Sequence, residues 1–252
     1  MSIESISQYI RSIELQRDKI TSFSKHPFNL PVIRELSGLE LHPKVTFFVG
    51  ENGTGKSTIL EAIAAAYGFN PEGGTKNFNF SSMDTHSELH NYIRLVKGVR
   101  RPKDGFFLRA ESFYNVATNI DEMDREGIGP RVIDSYGGIS LHRQSHGESF
   151  LSLLLNKFRG EGVYILDEPE AALSPVRQMT MLRRLHELVC RGSQFILATH
   201  SPVIMAYPDA AIYEIKDAIR KVKYEETEHY TVMRDFLNSR EKMLGILLED
   251  NE

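Results

Sequence analysis

Residues Gly50-Glu51-Asn52-Gly53-Thr54-Gly55-Lys56-Ser57-Thr58 fit the pattern G-x-x-x-x-G-K-[ST]. The apolar run Lys44 to Val49 (KVTFFV) leads into them, and Ile59, Leu60, Ile63 and Ala64 recur beyond them on one helical face. The order predicts a buried strand, a glycine-rich turn and a helix over Lys56 to Tyr67. Such a match arises by chance in about one chain per hundred, and the strand–turn–helix setting makes it rarer still. Glycines let successive backbone N–H groups face phosphate oxygens without side-chain clashes. The helix N-terminus adds unpaired N–H groups and the positive end of its dipole. Lys56 then reaches the β- and γ-phosphates, and the Ser57 hydroxyl ligates Mg²⁺. The plain alternative is a glycine-rich turn that only caps a helix.

A second apolar run, Val163 to Leu166 (VYIL), ends in Asp167 and Glu168. Open α/β sheets place their ligands at the carboxyl ends of strands. After a phosphate loop, this order assigns Asp167 to the Mg²⁺ shell and Glu168 to the attacking water, as the base. His200 follows its own apolar strand, Gln194 to Ala198, and so also stands over the ligand edge. Ser145-His146-Gly147-Glu148 reads locally as an S-x-x-E capping box opening an apolar helix, Ser145 to Phe158.

The remaining pattern predicts a strand over Tyr9 to Leu15 and another over Gly105 to Ala110. Helices are expected over Ser112 to Met123, Pro175 to Cys190 and Tyr230 to Leu248. Strands alternating with helices give an α/β fold. The simplest organisation is one domain over residues 1–252, with a loop-rich insertion at about 69–138 and a flexible acidic C-terminal tip. The 41% hydrophobic content suffices for a core. No apolar run approaches the roughly 20 residues of a membrane span, so direct membrane insertion is not expected. The N-terminus lacks the apolar core of a secretory signal. The lone Cys190 excludes an internal disulfide, fits a reducing cytoplasm and is expected to pack within its helix. A net charge of −4 exerts no global pull on nucleic acid.

Taken together, GENGTGKST, SHGES, YILDEPEAALSP and ATHSP, in that order, resemble the motifs of the ABC ATPase superfamily. Within it they are most similar to the non-transporter RecF and SMC heads and to small bacterial stand-alone "AAA family" ATPases. The likeness runs from about Tyr9 to Leu237. It implies a P-loop NTPase fold: an ABC head with a mixed sheet flanked by helices, a smaller helical signature lobe and no coiled-coil arm. It also implies that Ser145, Gly147 and the start of their helix form a signature segment contacting ATP bound to a second subunit. Glu170 to Ser174 would be the D-loop at that interface, although Ser174 and Pro175 also suit a plain helix start. His200 would be the switch histidine. Such heads close as homodimers around ATP and Mg²⁺. The glutamine expected between the phosphate loop and the signature is not evident. Glu111 stands near its position as a metal or water ligand, which bears on the hydrolysis rate. Phe28 is the candidate for stacking on adenine.

Lys97, Arg100, Arg101 and Lys103 form a basic cluster suited to a solvated loop or to nucleic acid. His86 and His90 have i,i+4 spacing but no neighbouring ligands. The favoured function is a cytoplasmic ATPase switch acting on a nucleic acid or protein partner, of the repair or defence type. The alternatives are a transporter's ATPase subunit and a slow or non-hydrolysing nucleotide-binding regulator. A ring motor would need an arginine finger and a helical lid, neither of which is recognisable.

Overall fold

The computed structural model describes residues 8–76, 87–109, 113–126 and 130–248. Its strands are β1 (Ile10–Leu15), β2 (Leu39–Glu40), β3 (Val45–Val49), β4 (Ile93–Lys97), β5 (Asp104–Arg109), β6 (Gly162–Asp167), β7 (Gln194–Ala198), β8 (Ala211–Ile215) and β9 (Ile219–Val222). The longer helices are α1 (Lys56–Tyr67), α2 (Phe113–Glu126), α3 (His146–Ser152), α4 (Pro175–Cys190), α5 (Glu228–Asn238) and α6 (Arg240–Leu248). One sheet has the order β5-β6-β7-β3-β8-β9, parallel except for β9. A second, antiparallel sheet has the order β2-β1-β4. The mixed α/β architecture expected from the sequence is the one observed.

Alternation along the central strands divides the core into two layers. Phe47, Phe106, Tyr164, Leu166, Phe195 and Leu197 face α2, α3 and α4. Phe48, Phe107, Val163, Ile165 and Ile196 face α1 and the antiparallel sheet. Both faces are covered, so these strands read as unbroken apolar runs. Gln194 ties the two sheets together from a fully buried position. Its side-chain oxygen accepts from the Tyr9 and Ile10 N–H groups, and its amide donates to the Ile10 and His42 carbonyls.

Several expectations change in detail. The segment 69–138 contributes β5, close to the strand expected over Gly105 to Ala110, and also β4, which the apolar pattern does not predict. In IRLVK, Arg94 and Lys97 interrupt the apolar signal. The helix expected from Ser145 to Phe158 is α-helical only to Ser152 and then widens into a π turn over Leu153–Lys157. Asn156 donates its side-chain amide to the Ser152 carbonyl at 2.9 Å, occupying the acceptor that an α-helical N–H would use. The wider turn buries Leu153 and leaves Leu155 47% exposed. The C-terminal helix breaks at Ser239 into α5 and α6. Cys190 is exposed rather than packed, because Leu185 and Leu188 take the inner face of α4.

Candidate functional site

The phosphate loop lies between β3 and α1. Gly50, Gly53 and Gly55 all have positive φ. A Cβ on Gly50 would stand 2.2 Å from the Ile215 carbonyl oxygen, so both the conformation and the approach of β8 require glycine. Thr54 Oγ1 donates to the Glu51 carbonyl at 2.9 Å and closes the loop on itself. Glu51, Asn52 and Gly53 form the exposed rim, and Thr58 sits in the first turn of α1. Lys56 is 3% exposed, and its Nζ donates to the Gly50 and Glu51 carbonyls at 2.8 Å each. An ammonium has three protons, so one remains for an anion in the loop. Burial pushes the Lys56 pKa down, while Glu168, Asp167 and Glu170 pull it upward.

Parallel pairing brings the other groups to this edge. Register sets Arg109 opposite Asp167, and Asp167 opposite Ala198. Ser57 Oγ donates to Asp167 Oδ1 at 3.1 Å across 110 residues of sequence, and Asp167 is 5% exposed. A hydroxyl and a buried carboxylate meeting at one point are the hard oxygen donors that Mg²⁺ takes, so this pair fits the metal. Glu111 lies outside the described residues.

Glu168 has φ +49 and donates its N–H to the Ala198 carbonyl at 3.0 Å. A left-handed residue other than glycine costs of order 1–3 kcal/mol, and here it turns the carboxylate toward His200. His200 Nε2 makes a loose 3.4 Å contact with Glu168 Oε1. Two residues that the sequence did not assign to this histidine hold it. Glu170 accepts its backbone N–H at 2.5 Å, and burial raises the Glu170 pKa. His229, in the first turn of α5, places Nε2 3.0 Å from His200 Nδ1. No motif marks His229, which lies 29 residues beyond His200 in an amphipathic helix.

The histidine pair has a preferred tautomer. His229 Nδ1 is buried without a hydrogen-bond partner. His200 Nε2 is buried without one as well, but it faces the Glu168 carboxylate at 3.4 Å, so the unpaired N–H is better placed on His200 Nε2, and His229 Nε2 then donates to His200 Nδ1. His200 then carries its own proton on Nε2, facing Glu168. Burial, and next the positive Lys56, lower the pKa of both rings, favouring the neutral pair.

The Ser145 segment forms the capping box in full. Ser145 N–H donates to Glu148 Oε2 at 3.0 Å, and Glu148 N–H donates to Ser145 Oγ at 3.4 Å. A Cβ on Gly147 would stand 2.5 Å from the Ala172 carbonyl oxygen, so α3 is seated directly on the segment 170–174. Arg177 of α4 reaches Glu148 at 3.4 Å. Among the described residues, no hydrogen bond or ion pair joins Ser145 or Gly147 to the phosphate loop. Phe28 does not serve as an adenine platform: it is 4% exposed and packs edge-on against Tyr92. His86 lies outside the described residues, and His90 Nδ1 is 3.0 Å from the Ser87 carbonyl. Among the described residues, no group of three or more His, Cys, Asp or Glu side chains could hold a metal, and no helix is long and apolar enough to cross a membrane.

Residues 13–136 match the "AAA domain" family model, and residues 133–206 match the model described as "AAA domain, putative AbiEii toxin, Type IV TA system". The chain is similar to the cytochrome c biogenesis ATP-binding export protein CcmA of Legionella pneumophila. They are 26% identical over 172 residues, covering 66% of this chain and 84% of the relative. It is also similar to the cell division ATP-binding protein FtsE of Bacillus subtilis, at 25% identity over 74% of this chain and 88% of FtsE. The solved structure of an inward-facing metal-chelate type ABC transporter matches with a TM-score of 0.50 and 14% identity. That match covers 90% of this chain and 88% of the other.

Proposed function

We propose that the chain is an ABC-class P-loop ATPase that hydrolyses Mg-ATP as one half of a cytoplasmic homodimeric switch. The supporting observation is the convergence of Lys56, Ser57, Asp167, Glu168 and His200 on one edge of the parallel sheet. The loop from Gly50 to Thr58 binds the phosphates through its N–H groups and Lys56. Ser57 and Asp167, with Glu111 as a further ligand, would hold Mg²⁺, which would supply positive charge against the phosphate oxygens. Glu168 orients the attacking water and takes its proton. His200 presents its Nε2 proton to the transferred phosphate, and His229 keeps that proton on Nε2. Ser145 and Gly147 offer the α3 N-terminus to ATP held by the second subunit. Their seat on 170–174 supports that role in trans.

Light scattering on Glu168→Gln tests the reading. Expected is retained ATP binding, turnover reduced by about 10²-fold or more, and a shift from monomer to dimer only with Mg-ATP. Normal turnover by the variant would remove Glu168 as base. An unchanged mass would favour a second reading, an ATPase subunit that closes only with a transporter partner, which the name of the Legionella export protein supports.

A further inference from the structure

At the end of the main sheet opposite the phosphate loop lies a groove of about 800 Å³, continuous with a second cavity of about 640 Å³. The two share Lys103, Asp104 and Lys157. The groove collects the C-terminus of α1, the end of β4 and the starts of β5 and β6. Over its twelve residues α1 rises about 18 Å, so the groove lies well away from the ATP site. Among the described residues, Lys76, Lys97, Arg100, Arg101, Lys103, Lys157, Arg159 and Arg191 line the two cavities. Among the described residues, the carboxylates that line them are Asp104 and Glu161. This edge therefore carries +6 (eight minus two) within a chain of net charge −4.

Glu161 pairs with Arg100 at 3.1 Å and Lys103 at 2.6 Å. Asp104 is committed to the Tyr164 hydroxyl and the Arg159 N–H. Lys76, Lys97, Arg101 and Lys157 make no ion pair or hydrogen bond with a carboxylate among the described residues. Two of them share one ring: Lys76 Nζ lies 4.0 Å and Lys97 Nζ 5.0 Å from the centroid of Tyr67. Like charges held together by cation–π contact, without a counter-ion, form an anion site whose repulsion a phosphate would relieve. The wall is preformed. Gly98 N–H donates to the Tyr9 carbonyl and Lys103 N–H to the Glu161 carbonyl, both at 2.9 Å. A Cβ on Gly98 would stand 1.7 Å from the Gln8 carbonyl oxygen, so only glycine lets the 98–103 loop lie this close to β1.

From this arrangement we infer that the groove binds the phosphodiester backbone of a nucleic acid without reading its sequence. Tyr9, Tyr67 and Phe69 are 2%, 6% and 4% exposed, so their faces are closed to base stacking. A protein partner would need apolar anchor sites, and among the described residues that line the groove Val99 alone is a large apolar residue that is exposed. A membrane surface is flat and would touch only the rim of a concave site. Binding gives the proposed switch its macromolecule and rests on that reading only for its purpose.

The test is fluorescence anisotropy of a labelled short duplex of arbitrary sequence, without ATP, titrated with salt. Parallel arms use the RNA duplex and vesicles of phosphatidylserine and phosphatidylcholine in equal parts. Four phosphate contacts predict a slope of log Kobs against log[salt] of about −3.6. Lys97→Glu/Arg101→Glu is expected to weaken duplex binding at least tenfold and flatten the slope by about 2. Lys97→Gln/Arg101→Gln is the control if charge reversal disturbs folding, and it should flatten the slope equally. Absence of duplex binding, unchanged binding in a folded variant, or groove-dependent binding of vesicles in place of duplexes would overturn the assignment. Dimerisation of Glu168→Gln with ATP is read separately, so the groove and the switch fail independently.

Discussion

Replacing His229 by leucine isolates the device that orients His200. The substitution deletes the 3.0 Å contact between the two rings but leaves the phosphate loop, Ser57, Asp167 and Glu168 in place. His200 then exchanges between tautomers, and the form with its proton on Nδ1 turns a lone pair toward Glu168 and the phosphate. A neutral hydrogen bond contributes about 0.5–1.5 kcal/mol. At about 1.36 kcal/mol per factor of ten, kcat should fall roughly 2- to 13-fold. KM for ATP should change little, because Lys56 and the loop N–H groups that hold the phosphates are untouched. His229→Gln keeps a side-chain N–H for His200 Nδ1 and should recover most of the rate. Steady-state ATPase kinetics on both variants, each checked for an intact melting transition, measure this. A leucine variant with wild-type kcat, or a glutamine variant as slow as leucine, would refute the tautomer argument.

Ser145→Arg should leave ATP binding by the monomer intact and abolish ATP-dependent dimerisation in the Glu168→Gln background. Equilibrium dialysis and light scattering separate the two, and a dimer that still forms would remove Ser145 from the interface. The histidine pair also predicts loss of stability in acid. The folded pKa values of His200 and His229 lie below the ordinary 6.5, so as pH falls below 6.5 the unfolded chain takes up protons that the fold refuses, and stability declines. Glu170, whose pKa is raised by burial, acts in the opposite sense above the ordinary carboxylate range and is common to both proteins compared. Melting temperatures taken from neutral to mildly acidic pH should therefore fall more steeply for the wild type than for His229→Gln, and parallel curves would contradict this.

Much of the candidate site was legible because its groups are local to single elements. The loop from Gly50 to Thr58 needs a strand before it and a helix after it, and both were visible as periodicity in the adjoining residues. Asp167, Glu168 and His200 follow apolar runs whose ends mark the sheet edge. The capping box at Ser145 is encoded within four residues. Other features involve competition between neighbours. The π turn after Ser152 arises because the Asn156 side chain takes the acceptor of one helical turn, and this moves Leu155 from the core stripe to the surface. Periodicity alone cannot register such a substitution of partners. The candidate Phe28 fails as an adenine platform for a related reason: an aromatic near the phosphate loop in sequence is claimed by Tyr92 in the core.

The sequence by itself determined the phosphate loop, the acidic strand end and the α/β alternation, since each follows from backbone sterics and hydrophobic period over a few residues. Only the tertiary structure decided what those pieces meet. Strand order and register place Ser57 against Asp167 across 110 residues, set His229 on His200, and bring Lys76, Lys97 and Lys157 from three separate segments to one groove. These contacts depend on which parallel strands are neighbours and on how far each helix runs, and neither is encoded near the residues concerned.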